Sequence, residues 1–440
     1  MNIQYSTTLK IKHTPDVFIA GGGPAGIAAA VMAARSGASV YLAESSGSFG
    51  GAAVNMLVPA FMQFENGVDF LADGIGREVH EYLNHKTGFS AFWPNGIPVE
   101  VLKRCYDDMM LASGASFSFF TNVIDVITLN GAIDYAVCAA KGEKFAVKAK
   151  VYIDCTGDGD MCAMAGARYE KGDPITGEMM AATLCALWSD IDWSRVSGVD
   201  SRELEKAIAD GIFTNKDRHL PGMWHIAQNN GGSNAGHIYN VDGTDSDSMT
   251  AAMIAGRRQL PEYDHYYRNY LTGYENMNLV FSAPYIGIRE TRRIYGDYVL
   301  DIEDFNDRAS FPDEIGRYSY PIDIHAGQNT DEAYKKFFED HYKLRYESGE
   351  SYGIPYRCLT VQGFTNLLMA GRCISADRYM QSSIRVMPCC YITGQAAGIA
   401  AAVCARDAHT DVHSADTQQI RALLKKAGAF LPEYREKADT

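Results

Sequence analysis

The residues with the most constrained spacing for chemistry are Gly21-Gly22-Gly23-Pro24-Ala25-Gly26, followed by Ala30, Gly37 and Glu44. Gly21 permits a tight turn, Gly23 lets a diphosphate reach the backbone, and Gly26 lets a helix pack closely on the strand before it. Amides exposed at the start of that helix, at the positive end of its dipole, attract the diphosphate. Glu44 stands where a carboxylate accepts both hydroxyls of an adenosine ribose. These residues serve NAD and FAD equally. A second set suited to chemistry lies in the middle of the chain: Tyr285, Arg289 with Arg292 and Arg293, His237, and Asp323 with His325 in Tyr320-Pro321-Ile322-Asp323-Ile324-His325.

Both sets need elements to hold them. Asp16-Val17-Phe18-Ile19-Ala20 is an apolar run ending in glycines and reads as a buried strand. Ala25 to Ser36 reads as an Ala-rich helix, stopped by Gly37 in the left-handed conformation that ends helices. Val40-Tyr41-Leu42-Ala43 is the next strand, which completes a βαβ unit with a parallel sheet. Val101 to Ser113 is predicted as helix and Ser116 to Val126 as strand. Tyr135 to Ala140 and Lys144 to Ile153 are predicted as strands of a small antiparallel excursion, the last running into Asp154-Cys155-Thr156-Gly157-Asp158. The expected fold class is α/β: a Rossmann-type dinucleotide domain, mostly parallel sheet plus the antiparallel excursion, formed by residues 1–170 and 356–440. An α+β substrate domain, residues 171–355, is inserted between its halves.

The 440 residues are 47% hydrophobic and 21% charged, enough to bury one large core or two unequal ones. A formal net charge of -14 opposes attraction to nucleic acid or an anionic membrane. Met1 to Pro15 has no apolar stretch of the secretory kind. Cys389 to Ala405 is built from Ala and Gly, with Thr393 and Gln395 inside it, and reads as short and poorly lipophilic for a span. A cytoplasmic protein with no membrane partner is therefore expected. The cysteines are scattered apart from adjacent Cys389 and Cys390, which fits reduced, buried thiols. The histidines are dispersed and show no metal-ligand spacing, so no metal is expected.

The choice of cofactor rests on a resemblance. Gly50-Gly51-Ala52, shortly after Glu44, stands where two-dinucleotide-fold flavoproteins pass the chain beside the flavin's ribityl and diphosphate. Gly371-Arg372-Cys373-Ile374-Ser375-Ala376, Ser383-Ile384-Arg385-Val386-Met387-Pro388 and Thr393-Gly394-Gln395-Ala396-Ala397-Gly398 resemble the C-terminal flavin-binding signature of the bacterial FAD-dependent oxidoreductase family. Its distant relatives include the fumarate reductase, geranylgeranyl reductase and thiazole-synthase flavoproteins. Tyr285 to Ile294, Tyr320 to His325 and Ile354-Pro355-Tyr356-Arg357 match as well, so the similarity spans nearly the whole chain. It implies non-covalent FAD, with Gly371 and Arg372 delivered toward the diphosphate or ribityl chain. It also implies a helix beginning near Thr393 whose amides, with Gln395 and Ala396, face the flavin pyrimidine edge. Thr156-Gly157-Asp158 would lie on the return strand, and Val123 would pass the adenine with backbone contacts. Many relatives carry Gly-Asp where this chain has Gly371-Arg372, so a ribityl-binding carboxylate is not implied there. Arg385 either stabilises reduced flavin, holds a substrate anion or makes a structural salt bridge.

The implied activity is flavin-dependent oxidoreduction. The leading reading is a dehydrogenase or oxidase that moves hydride between a small hydroxylated, carbohydrate-like substrate and the flavin, with His325 as the base for the hydroxyl. Ile322 and Ile324 alternate as on a half-buried strand, leaving Asp323 and His325 on its other face, where Asp323 orients the imidazole or raises its basicity. His237 and Tyr285 are the next candidates for the base. Arg289 either clamps a carboxylate or anchors a domain interface with Glu290, Asp301 and Glu303 nearby, and it shares a face with Arg293 if the run is helical. His225 and His237 flank Gly231-Gly232, which reads as a mobile loop that closes over the site or as a solvated one. Trp93, Trp188, Trp193 and Trp224 either stack on a ring substrate or pack the core. One rival reading is a reductase of an activated, carboxylate-bearing double bond, with Arg289 or Arg385 as anion clamp and acid. Another is a flavin-containing RNA-modifying protein, which the acidic balance and the lack of Lys/Arg runs oppose. An electron donor or acceptor is required in either direction, and an oligomer is compatible with all of this.

Overall fold

A computed structural model of the chain describes residues 3–87, 96–196, 201–406 and 411–433, and Trp93 lies outside them. The central sheet has 5 parallel strands in the order Leu367–Met369, Val151–Asp154, Val17–Ala20, Val40–Ala43 and Ser116–Ser118. Every residue of its three middle strands is buried, as a sheet covered on both faces requires. The helix Pro24–Arg35 connects the first two of these strands in sequence. It packs against the helix Met387–Arg406 through small residues. A Cβ added at Gly394 or Gly398 would lie 2.2 Å from the carbonyl oxygen of Ala25 or Ala29, so backbone meets backbone there.

Met387–Arg406 corrects the sequence reading of its length. It is a helix of 20 residues, long and apolar enough to cross a membrane, but its apolar window is 100% buried inside the protein. It is the core helix against which the cofactor half of the chain assembles. All ten cysteines are buried and free.

Two predicted strands divide. Ser116 to Val126 becomes Ser116–Ser118 at the parallel edge and Thr121–Leu129 in another sheet, with Phe120 at φ 53 turning the chain between them. Lys144 to Ile153 divides in the same way, into Glu143–Val147 and the central strand Val151–Asp154. The excursion is a 4-stranded sheet in the order Lys10–His13, Glu143–Val147, Ala132–Ala140, Thr121–Leu129.

In the middle of the chain a 4-stranded antiparallel sheet runs Gly222–Ala227, Asn230–Asn234, Ala186–Ser189, Asn278–Ser282. Gly231 and Gly232 are paired on both sides within it, so the expected mobile loop is an interior strand of a sheet. Tyr285 to Ile294 is extended rather than helical. Gly287 bridges Thr183, and only Arg292–Ile294 is a strand, antiparallel to Tyr169–Lys171. Tyr320 to His325 forms no strand either. Ile322, Asp323 and His325 are all buried, because the segment is clamped beneath the helix Arg378–Ile384. Asp323 N donates to Ser382 Oγ at 2.9 Å, and Ser383 Oγ donates to Tyr320 O at 2.6 Å.

Candidate active site

A cleft opens at the C-terminal ends of the parallel strands. Gly21 turns the chain there at φ +94, where a Cβ would strike the Cys155 carbonyl oxygen at 2.6 Å. At Gly23 the nearest neighbour of an added Cβ is Gly51 Cα at 3.9 Å, so this stretch of backbone is open to close approach. Gly23 also caps the helix Pro24–Arg35 without any side-chain hydrogen bond, which leaves its first amides for an anion. Gly26 works one layer down, since a Cβ there would lie 1.9 Å from Gly21 O. Glu44 is buried at the mouth. Its Oε2 accepts from Gly22 N at 2.6 Å and its Oε1 from Ser46 N at 2.8 Å, and these bonds fix the carboxylate beside the cleft.

The same cleft is lined by Pro24, Ala25, Gly51, Ala52, Val123, Thr156, Gly157, Asp158, Gly371, Arg372 and Arg385, all expected from the sequence. Gly50 stands just behind, at φ 116, and donates its amide to Gly22 O at 2.9 Å. Gln395 and Ala396 are corrections. The helix starts at Met387 rather than near Thr393, so both residues lie in its buried interior, and Gln395 accepts from Ile75 N at 3.2 Å and donates to Asp73 O at 3.1 Å. Met387 and Cys390 of the first turns line the cleft in their place. Burial pushes the Cys390 thiol up to about 12, so at neutral pH it is no nucleophile toward a ring beside it. Arg372 ties the two sides together, donating to Gly157 O at 3.0 Å, to Ile288 O and to Asp158 Oδ1.

Beyond Ala52, Arg372, Arg385 and Met387 the cleft continues into a second cavity of about 260 Å³. His325, Asp323, Arg289 and His219 line it, with Trp224 and Phe337 among its apolar walls. Tyr285 is not among them. It is 43% exposed and lines the first cleft. His237 is buried behind His325, not in the cavity wall. His225 stacks on Trp193 at 4.5 Å, and Trp188 is buried with its Nε1 donating to Ser233 Oγ at 2.8 Å.

A hydrogen-bonded line runs through the histidines. Asp217, 3% exposed, accepts from His237 Nδ1 at 3.3 Å and from the Tyr334 hydroxyl at 2.5 Å. His237 Nε2 meets His325 Nδ1 at 2.9 Å. On the other side of the ring, His325 Nε2 lies 3.4 Å from Asp323 Oδ2, which is paired with Arg385 Nη2 at 2.8 Å. The expected role of Asp323 is therefore corrected: it faces the outer nitrogen of His325, and the ring is oriented by His237 and Asp217. Asp323 does raise the basicity of the imidazole, as expected, but burial outweighs it. Burial, and then the Arg289 charge, hold His325 well below the usual histidine range. His219 is held down to about 3 by burial and by His237.

Asp217 and His219 carry no sequence signal that separates them from ordinary loop residues. The same convergence overturns dispersal as a reason to expect no metal. His219, His237 and His325 place ligand nitrogens within 4.8 Å of one another, although His237 and His325 already bind each other through one nitrogen of each.

The arginine cluster separates. Arg292 pairs with Asp160 at 2.7 Å, and Arg293 with buried Glu290 at 2.7 Å. These two hold segments together. Arg289 points elsewhere, donating from Nη1 to Ala181 O at 2.7 Å and Thr183 Oγ1 at 2.9 Å, and from Nη2 to Asn234 Oδ1 at 3.1 Å. Arg385 Nε is buried without a partner among the described residues, at the junction of the two cavities. An open glycine backbone, an uncapped helix start, a fixed carboxylate and this orphaned donor fit a flavin dinucleotide, which Gly21, Gly23 and Glu44 would hold.

The family comparison agrees with the cofactor. A family model described as FAD dependent oxidoreductase matches residues 16–424. Among solved structures, a flavin-dependent brominase is 13% identical over 94% of this chain and 83% of its own, with a TM-score of 0.46. A geranylgeranyl bacteriochlorophyll reductase-like protein from Thermoplasma acidophilum is 12% identical over 95% of this chain and 84% of its own, with a TM-score of 0.46. A p-nitrophenol 4-monooxygenase from Pseudomonas putida is 10% identical over 94% and 81%, with a TM-score of 0.44. No curated protein matches the chain.

Proposed function

The chain belongs to the FAD dependent oxidoreductase family, and from that premise we propose that it oxidises a small hydroxylated substrate with His325 as the base. When bound, FAD supplies the two-electron acceptor for the hydride. The observation that carries the reading is the line of contacts from Asp217 through His237 to His325, which ends at the cavity. We assign the protons along it so that His237 donates Nδ1–H to Asp217 and accepts at Nε2 from His325 Nδ1. In that assignment His325 Nε2, 3.4 Å from Asp323 Oδ2, is the nitrogen that accepts the substrate proton.

A substrate hydroxyl that reaches His325 Nε2 from the cavity supplies the proton this nitrogen accepts. As the C–H bond breaks and its electron pair leaves with hydride, the O–H proton passes to His325 Nε2 and the carbon becomes a carbonyl. The imidazolium formed is stabilised by Asp323 on one side, and through His237 by Asp217 on the other. Val58, Met62, Trp224 and Phe337 keep the chamber apolar around this line and limit water.

The test is an anaerobic screen of the holoenzyme with sugars, glycosides, hydroxy acids and enoates, followed by flavin absorbance. Bleaching of oxidised flavin by a hydroxylated compound, slowed in His325→Asn, is the expected result. Reoxidation of dithionite-reduced enzyme by an enoate, with no bleaching by any alcohol, overturns the proposal in favour of double-bond reduction.

A further inference from the structure

We propose that the substrate is a hydroxy acid whose carboxylate is held by Arg289; this deepens the alcohol-oxidation reading and rests on it for the hydroxyl. Arg289 is 8% exposed and lines the 260 Å³ cavity, yet among the described residues no carboxylate lies within ion-pair distance of it. The other two arginines of that wall are matched, Arg372 with Asp158 and Arg385 with Asp323. The acids that act on Arg289 at longer range, Asp323 and Asp217, are themselves held by Arg385 and His237.

The hydrogen bonds of Arg289 go to neutral oxygens. Two leave from Nη1 and one from Nη2. A guanidinium carries five N–H donors, so Nε–H and one Nη2–H have no partner among the described residues. Arg385 Nε is also buried and unpartnered in the same wall. A buried cation without an anion is a costly arrangement in a folded chain. Burial and then the neighbouring Arg385 charge bring Arg289 down to about 10, which leaves it charged at neutral pH.

The cavity therefore offers unmatched donors at Arg289 together with His325, the assigned proton acceptor. A hydroxy acid presents the complementary pair: a carboxylate for the planar cation and an O–H for the imidazole. A neutral polyol satisfies only the second. Thr183 and Asn234 hold the guanidinium in place and so act as positioning residues for the anion.

The test is a titration of the oxidised holoenzyme, followed by perturbation of the flavin absorbance, with three matched pairs: lactate and lactamide, gluconate and glucitol, oxamate and oxamide. Saturable binding of at least one acid, with its neutral partner about 30-fold weaker or more, is the expected result. Equal binding within every pair, or no binding by any acid, overturns the proposal. Because the Arg289 bonds also hold Ala181 and Asn234, the wild-type comparison stands without a variant. Arg289→Lys, which keeps the charge, should retain more acid affinity than Arg289→Met in folded, flavin-loaded protein, and equal loss in both overturns the anion role. Acids that bind but never bleach the flavin would leave the anion site intact and refute the hydride reading. Bleaching by neutral alcohols with no acid binding would do the reverse.

Discussion

The dinucleotide cleft and the histidine cavity share a wall at Ala52, Arg372, Arg385 and Met387, yet they are built by opposite means. The cleft is mainly backbone: turns at Gly21, Gly51, Gly157 and Gly371, all at positive φ, and the start of one helix, with Glu44 as its principal fixed charge. The cavity is side chains from segments far apart in the chain, brought together by a sheet edge, a clamped loop and a helix. Where a ligand is gripped by backbone, short-range pattern carries the recognition. Where it is gripped by side chains, only packing assembles the set. Binding and chemistry should then separate under mutation.

The largest separation is expected at His325. His325→Ala should keep the oxidised flavin spectrum while slowing substrate-driven flavin reduction by about 10²–10⁴-fold, read by anaerobic stopped-flow. Loss of FAD from the folded variant would mean that the two regions are one structural unit and that His325 is structural. The converse test is Glu44→Ala, which removes charge-assisted hydrogen bonds and should weaken FAD about 10- to 100-fold per lost bond. Reduction at saturating FAD should be unchanged, and unaltered FAD affinity by fluorescence titration would place the ribose elsewhere.

Asp217→Asn sharpens the picture inside the cavity. Asp217 lines neither the cleft nor the cavity, so its loss should slow reduction about 10- to 100-fold with little change in FAD affinity. It should also alter the pH profile, because the proton order along His237 and His325 is no longer fixed; a purely structural role would lower stability and leave the profile alone. The pH dependence itself is a smaller effect. His325 must be neutral to accept a proton, and burial with the Arg289 charge disfavours its cation. The acid limb of the flavin-reduction rate is therefore expected below the ordinary histidine value of 6.5 and should move up toward it in Arg289→Met. A limb at or above 6.5 in the unmodified enzyme would contradict the burial of a neutral base. The smallest effect is predicted for metal removal. Dialysis of the holoenzyme against a chelator should leave the rate unchanged, since His237 and His325 bind each other, and a rate restored only by a divalent cation would convert the trio into a ligand set.

The amino-acid sequence by itself determined the cofactor half. Glycines at Gly21, Gly23 and Gly26 between an apolar strand and an Ala-rich helix, closed by Glu44, admit few conformations, because each constraint acts within a few residues and is enforced by sterics. His325, Asp323 and Arg289 were also visible as reactive types in the middle segment, but their roles were not. Alternation of Ile322 and Ile324 suggested a strand, whereas burial from both sides under Arg378–Ile384 made the segment irregular and turned Asp323 toward the outer nitrogen of His325. The last core helix starts at Met387 rather than near Thr393 as expected, since the Ala-Gly run that marks it begins only at Gly394 and the earlier start signal is the single Pro388 of the first turn. Tertiary structure alone decided that Asp217 and His237 stand behind His325, and that Arg289 faces the cavity while Arg293 is paired away. Such contacts join residues tens to hundreds of positions apart, and no local periodicity encodes which of several similar side chains the packing will leave without a partner.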